Sequence, residues 1–153
     1  IRQALRSVDH NLLLLIVTSL ALGKVIQVTG AATFLSEYLL YILDGSSPLT
    51  ILICFYALVS ITTNFISNNA CAVLFAPIAI DIAEKIDVDP KIFAIALIFS
   101  VNTSFATPLA YQTNLLVMGP GHYKFIDYVK FGLPLTILCW VVFFFVFPFI
   151  YKI

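Results

Sequence analysis

The sequence predicts an all-α membrane protein in which transmembrane helices are accompanied by a re-entrant helical hairpin and a discontinuous helix. Three observations carry this. The 153-residue chain is 61% hydrophobic and 10% charged, with a mean hydropathy of +1.05, against about 45–50% apolar and 25% charged in soluble domains. Some of its apolar segments are too short to cross about 30 Å of hydrocarbon, which takes about 20 helical residues. Two of them are also interrupted by clusters of Asn, Ser and Thr. An unpaired polar group in hydrocarbon costs about 2–7 kcal/mol on transfer scales, so such clusters are tolerated only where protein or a cavity surrounds them.

The first element, residues 8–29, contains LLLLIVTSLALGKVIQVTG and is long enough to span. Lys24 reads as a side chain snorkelling near its end, and Gly30 stops it. Residues 31–43 carry Phe34, Leu35, Tyr38, Leu39 and Ile42 at helical spacing with Glu37 off that face, the pattern of a short interfacial helix. The turn Asp44-Gly45-Ser46-Ser47-Pro48 follows, with Ser47 placed to cap the next helix.

Residues 48–84 read as the re-entrant hairpin. An apolar arm turns polar from Thr62, reaches a tip at Ser67-Asn68-Asn69, and returns as CAVLFAPIAIDIA from Cys71 to Ala83. Asn68 or Asn69 is expected to cap the returning helix, leaving the N–H groups near Ala70 and Cys71 as an anion site. Carbonyls near Thr63 to Ile66 would offer hard oxygens of the kind sodium accepts in broken-helix transporters. The mixed charges from Asp81 to Lys91 read as a solvated loop without a role.

Residues 91–119 read as the discontinuous helix. Its first part ends among Ser100, Asn102, Thr103, Ser104 and Thr107, breaks at Pro108-Leu109-Ala110-Tyr111-Gln112-Thr113-Asn114, and resumes as LLVMG. Pro108 removes a backbone donor and pushes Thr107 out of helical geometry, while Thr113 or Asn114 could cap the resumed piece. Gly119 to Lys130 reads as a turn and an amphipathic interfacial stretch, with His122 at the surface. Residues 132–152 form a last transmembrane helix, packed through Phe143, Phe144 and Phe145.

Composition excludes other classes. Eight scattered Lys and Arg balanced by eight Asp and Glu leave no basic stripe for nucleic acid. Cys54, Cys71 and Cys139 lack ligand or redox spacing, and the apolar spans hold no His or paired carboxylates for an intramembrane enzyme. No cofactor is expected. The opening IRQALRSVDH carries neither an initiator Met nor a signal-peptide pattern, which reads as a piece of a longer protein. If the hairpin returns to its own side, Arg2, Arg6, Lys124 and Lys130 face Lys85, Lys91 and Lys152. That slight bias puts the first set in the cytoplasm and opens the hairpin outward.

Two polar breaks in neighbouring apolar segments are the form that binding sites take in secondary transporters. A scaffold whose amides only join helices, at about 0.6 kcal/mol each, is the bland alternative. An anion channel is another.

The run from Thr63 to Pro77, TNFISNNACAVLFAP, followed by TPLAYQTNLLVMGPGHYKFIDYVKFGLPL from Thr107, resembles the C-terminal repeat of divalent anion/sodium symporters. These are sulfate and dicarboxylate carriers of the ion transporter superfamily. The opening LRSVDHNLLLLIVTSLALGKVIQVTGA looks like the helix preceding the hairpin in that repeat. The resemblance implies one of two inverted repeats of an elevator-type homodimer, a multi-pass protein of the plasma (inner) membrane, with the N-terminal repeat missing from this chain. It implies a small inorganic or organic anion as substrate and sodium as coupling ion. Substrate would meet Ser67, Asn68 and Asn69 at the tip and Tyr111 and Gln112 at the facing break. Sodium would meet Thr63, Ile66, Asn68 and Ala110. Asn69 stands where the family signature has Thr, and Tyr111-Gln112-Thr113-Asn114 replaces a Thr-Pro-Pro-Asn pattern. Both departures bear on which anion is carried, and related branches move citrate or arsenite or exchange sodium for protons.

Overall fold

A computed structural model describes residues 21, 24–25 and 28–151. The expected helix at 8–29 therefore lies largely outside the described residues, although Lys24 is helical and exposed. Six helices follow: α1 (Ala31–Ile42), α2 (Pro48–Thr62), α3 (Asn68–Lys85), α4 (Pro90–Val101), α5 (Gln112–Met118) and α6 (Phe125–Tyr151). Among the described residues there is no strand.

Local chemistry sets most of the helix starts. Gly30 precedes α1 at φ 74°, a left-handed conformation that glycine adopts without the Cβ clash. Ser47 caps α2 by accepting from the Thr50 N–H at 3.3 Å, with Pro48 at the first helical position. Asp89 caps α4 in the same way, accepting from the Lys91 N–H at 2.9 Å ahead of Pro90.

At the start of α3 the structure corrects the expected cap. Ser67, extended at φ −60° and ψ 147°, accepts from the Ala70 N–H, while Asn68 and Asn69 are the first residues of the helix. Asn68 is not free to cap because its amide is turned inward. Ser67→Ala should lower stability by about 1 kcal/mol, with Asn69→Ala nearly neutral. Thermal unfolding of the full-length protein in detergent would separate the two.

The returning arm is also longer than expected. α3 runs 18 residues through Pro77 to Lys85, so Asp81, Glu84 and Lys85 belong to its last turns rather than to a loop. The i,i+4 pair Asp81–Lys85 closes at 2.8 Å, and Lys85 Nζ also reaches Glu37 at 3.3 Å and the buried Ser36 hydroxyl at 3.0 Å. Ser36 in turn donates to Asp81. These groups pin α1 against α3, a role that the expectation of a solvated loop missed.

α4 packs between α2 and α3, and α6 lies on α2. The core is aromatic where these helices meet. Phe55 packs against Phe75 and Phe93 with centroids 6.1 and 5.7 Å apart, and Tyr56 stacks on Phe143 at 4.1 Å. Leu52, Val59 and Ile82 are fully buried around them.

The interfacial stretch expected after Gly119 is in fact the beginning of α6. That helix is 27 residues long, contains Pro134 and Pro148, and buries only Gly132, Phe143 and Phe147. At 1.5 Å per residue it extends about 40 Å, enough to cross a bilayer. α2 and α4, at 15 and 12 residues, reach only about 22 and 18 Å.

Candidate functional site: two helix breaks joined by side-chain hydrogen bonds

Two interruptions face each other in this fold: residues 63–67 between α2 and α3, and residues 102–111 between α4 and α5. Each collects polar residues that the surrounding helices bury. Thr63 is inaccessible and Asn64 nearly so, and Ser100, Thr103, Ser104 and Thr107 are buried on the other side. Backbone freed from a helix ladder at such a break must find other partners.

The side chains supply them across the gap. Thr103 gives its hydroxyl proton to the Ser100 carbonyl at 2.6 Å, so the Ser60 hydroxyl, also 2.6 Å away, is the donor between the two. Thr63 donates to the Val101 carbonyl at 3.0 Å. Asn64 Nδ2 donates to the Ser60 carbonyl at 2.7 Å and to the Thr103 carbonyl at 3.4 Å, while its Oδ1 accepts from the Ala106 N–H at 2.9 Å. The Thr107 hydroxyl closes onto the Asn64 carbonyl. Among the described residues no buried side-chain nitrogen or oxygen is left without a partner.

The second break is held from its far side too. Asn114 donates to the carbonyls of Ser104 and Thr107, both at 3.2 Å, and accepts at its own carbonyl from the Tyr128 hydroxyl at 2.7 Å. Thr136 of α6 donates to the Thr103 carbonyl at 3.3 Å. Asn114 therefore works as a bracket inside α5 and not as its cap. Tyr111, extended at φ −137°, occupies the cap position without a side-chain hydrogen bond, and α5 starts at Gln112.

At the centre is Asn68. Four oxygens surround the inward end of its amide: Thr63 Oγ1 and Ser104 Oγ at 3.0 Å, and the carbonyls of Val101 and Ala110 at 3.2 Å. Carbonyls only accept, so the amide nitrogen must face them, with Oδ1 accepting from Ser104 Oγ at 3.0 Å. An amide nitrogen has two protons, and four oxygens converge on it. The pocket is richer in acceptors than its occupant can serve.

Of the residues singled out in the sequence, Thr63 and Asn68 from the first break and Ala110 from the second are brought together here. Ile66, Ser67, Asn69 and Tyr111 are exposed around the two breaks, and the side chain of Gln112 lies outside the described residues. Val101 and Ser104 complete the oxygen cluster without having been singled out. Ser104 carried a signal, since it sits in the polar run that ends α4; Val101 acts through its backbone and carried none.

The chain was also compared with known proteins. The family model described as citrate transporter matches residues 1–153. The chain belongs to the citrate transporter family. Proteins similar to it include the uncharacterized transporter YfbS of Escherichia coli (strain K12), 37% identical over 135 residues, which are 88% of this chain and 22% of that protein. The Na(+)/citrate cotransporter of Rattus norvegicus is 30% identical over 131 residues, 86% of this chain and 23% of its own length. Sodium/sulfate cotransporter 1 of Chlamydomonas reinhardtii is 23% identical over 141 residues, 92% of this chain and 16% of its own length. The chain thus spans about a fifth of the length of these relatives. Membership of the citrate transporter family makes it part of an integral membrane protein, in keeping with the long apolar α6.

Proposed function

We propose that the protein is a sodium-coupled symporter of a divalent anion, sulfate or a carboxylate such as succinate or citrate, and that the two breaks form part of its transport site. The observation that carries this reading is the cluster of four oxygens on Asn68. A group of neutral oxygens that outnumbers the two amide protons facing it concentrates negative potential without any ionised side chain, which suits a monovalent cation that must be released again. With sodium present, the Asn68 amide would turn its oxygen toward the ion. It would then join Thr63 Oγ1, Ser104 Oγ and the carbonyls of Val101 and Ala110 as ligands, with the Ile66 carbonyl a further candidate.

The anion is assigned to the same tip. The first turn of α3 begins at Asn68, and its macrodipole favours negative charge. The Ala70 and Cys71 N–H groups expected to form the anion site are instead held by the Ser67 side chain and carbonyl, so the dipole and the exposed side chains carry this part of the proposal. Ser67, Asn69, Tyr111 and Gln112 are the residues proposed to meet it. Sodium held at Asn68 would add to the attraction, so cation and anion would bind cooperatively. The names of the relatives, a Na(+)/citrate and a sodium/sulfate cotransporter, support both the ion and the class of anion. The elevator mechanism, the re-entrant path of α2 and α3, the homodimer and the inner-membrane location belong to the same proposal.

The test is uptake of labelled sulfate, succinate and citrate into proteoliposomes of the full-length protein, with and without a sodium gradient, for wild type and Asn68→Ala. Saturable uptake of one anion that requires sodium, lost in folded Asn68→Ala, is the expected result. Flux indifferent to sodium and to the substitution would overturn the proposal, and flux that also fails to saturate would point to a channel.

A further inference from the structure

We infer that Asn64 is a positioning residue that sets the affinity of the cation site by fixing the distance between the hairpin tip and the unwound segment; the inference rests on the sodium reading above. The proposed ligands come from two pieces of backbone. Thr63 and Asn68 flank the first break, whereas Val101 ends α4 and Ser104 and Ala110 lie in the second break. Nothing covalent near the site holds these halves in register.

Asn64 does so non-covalently. It directly follows one ligand residue, Thr63, and it bonds to Thr103 and Ala106, which lie on either side of a second, Ser104, and its neighbour Phe105. Its own carbonyl accepts from Thr107. Three of the hydrogen bonds that cross the gap therefore begin or end on this one residue. None of its partner atoms belongs to the oxygen cluster, so Asn64 touches no proposed ligand atom. It is 6% exposed, and both ends of its amide are used. A cation site of neutral oxygens depends on all of them pointing at one spot, since no single charge dominates. Loosening the clamp should therefore weaken cation binding well before it unfolds the helices.

The experiment titrates sodium alone against the full-length protein in detergent at constant ionic strength, with choline as the balancing cation, and follows the unfolding temperature. For wild type, stability should rise once sodium passes its dissociation constant. In Asn64→Ala the onset should move to roughly tenfold higher sodium or beyond, with the same slope once reached, as expected for losing buried hydrogen bonds. Thr107→Val, which removes only the bond to the Asn64 carbonyl, should move the onset in the same direction by less, and it decides the matter if Asn64→Ala does not fold. Ser100→Ala is the control. Its buried hydroxyl bonds only within its own helix, to the Leu97 carbonyl at 2.9 Å, so it should lower the melting temperature without moving the onset. Folded Asn64 and Thr107 variants with a wild-type onset would overturn the inference and leave the sodium site standing. A wild-type protein that does not respond to sodium would overturn both.

Discussion

Replacing Gly132 by alanine should abolish, or nearly abolish, the folded protein. A Cβ at this position would lie 2.0 Å from the Phe105 carbonyl oxygen, 2.3 Å from its carbon and 2.8 Å from the Ala106 Cα. All three atoms are backbone, so no side chain can swing away. The obstructing segment is itself fixed, because Ala106 donates to Asn64 and Thr103 accepts from both Asn64 and Thr136. Glycine lets α6 lie directly on the unwound chain, as small residues do where membrane helices approach closely. A methyl group must drive the two apart at a cost of about 3 kcal/mol or more, a large fraction of a typical total stability. Gly119→Ala serves as the comparison, since its added Cβ meets nothing within 4 Å and should change stability by no more than about 0.5 kcal/mol. Yield, monodispersity and melting temperature of the full-length variants measure this. A well-behaved Gly132→Ala protein melting with wild type would contradict the packing described.

At the proposed cation site, Asn68→Asp should make sodium a requirement for folding. The wild-type amide donates into a cluster of oxygens; a carboxylate of the same shape has no proton to donate and faces the same oxygens with negative charge. Burying such a group without a partner is strongly unfavourable, so without sodium the variant should be several kcal/mol less stable. A bound cation removes the conflict. Binding to the folded state contributes about 2.7 kcal/mol at one hundred times the dissociation constant, and the added charge should tighten that constant. Melting temperature plotted against the logarithm of sodium should therefore begin to rise at lower sodium in Asn68→Asp than in wild type, with choline having no such effect. The same onset in the two proteins would argue that no cation enters the cluster.

The helices and both breaks were legible in the sequence because they depend on composition and local pattern. Apolar runs too short to span, with Asn, Ser and Thr at their ends, require the oily parts to be helical and the polar parts to be sheltered. Ser47 could be read as the cap of α2, but the caps at the two breaks were not legible. Ser67, Asn68 and Asn69 are almost equally good capping residues by propensity, and the choice falls to Ser67 because partners distant in the chain claim the Asn68 amide. The same holds at the second break, where Asn114 has the chemistry of a cap but is engaged by the carbonyls of Ser104 and Thr107. Asp81 and Lys85 displayed their i,i+4 spacing openly, yet the partners that give them a place, Ser36 and Glu37, come from another helix. Gly132 gave no sign at all, since the need for its missing side chain exists only once α6 meets Phe105. What local chemistry decides could be read in advance, and what tertiary pairing decides could not.

The hydrogen bonds that tie Ser60, Thr63 and Asn64 to the second break and the end of α4 span 38 to 43 positions in the chain. During synthesis, Ser60, Thr63 and Asn64 therefore leave the ribosome well before the residues that will satisfy them. At about 5–20 residues per second the gap amounts to roughly 2–9 s. For that interval a polar tip on an oily arm has no partner in hydrocarbon, where an unpaired amide is poorly tolerated. On the proposed re-entrant path, insertion of α2 could not be completed alone: its end would wait in a watery or headgroup environment until α4 arrives. The two breaks would then be joined by the same event that commits the hairpin to the bilayer, and a nascent chain halted before residue 101 would carry the arm but be unable to seat it.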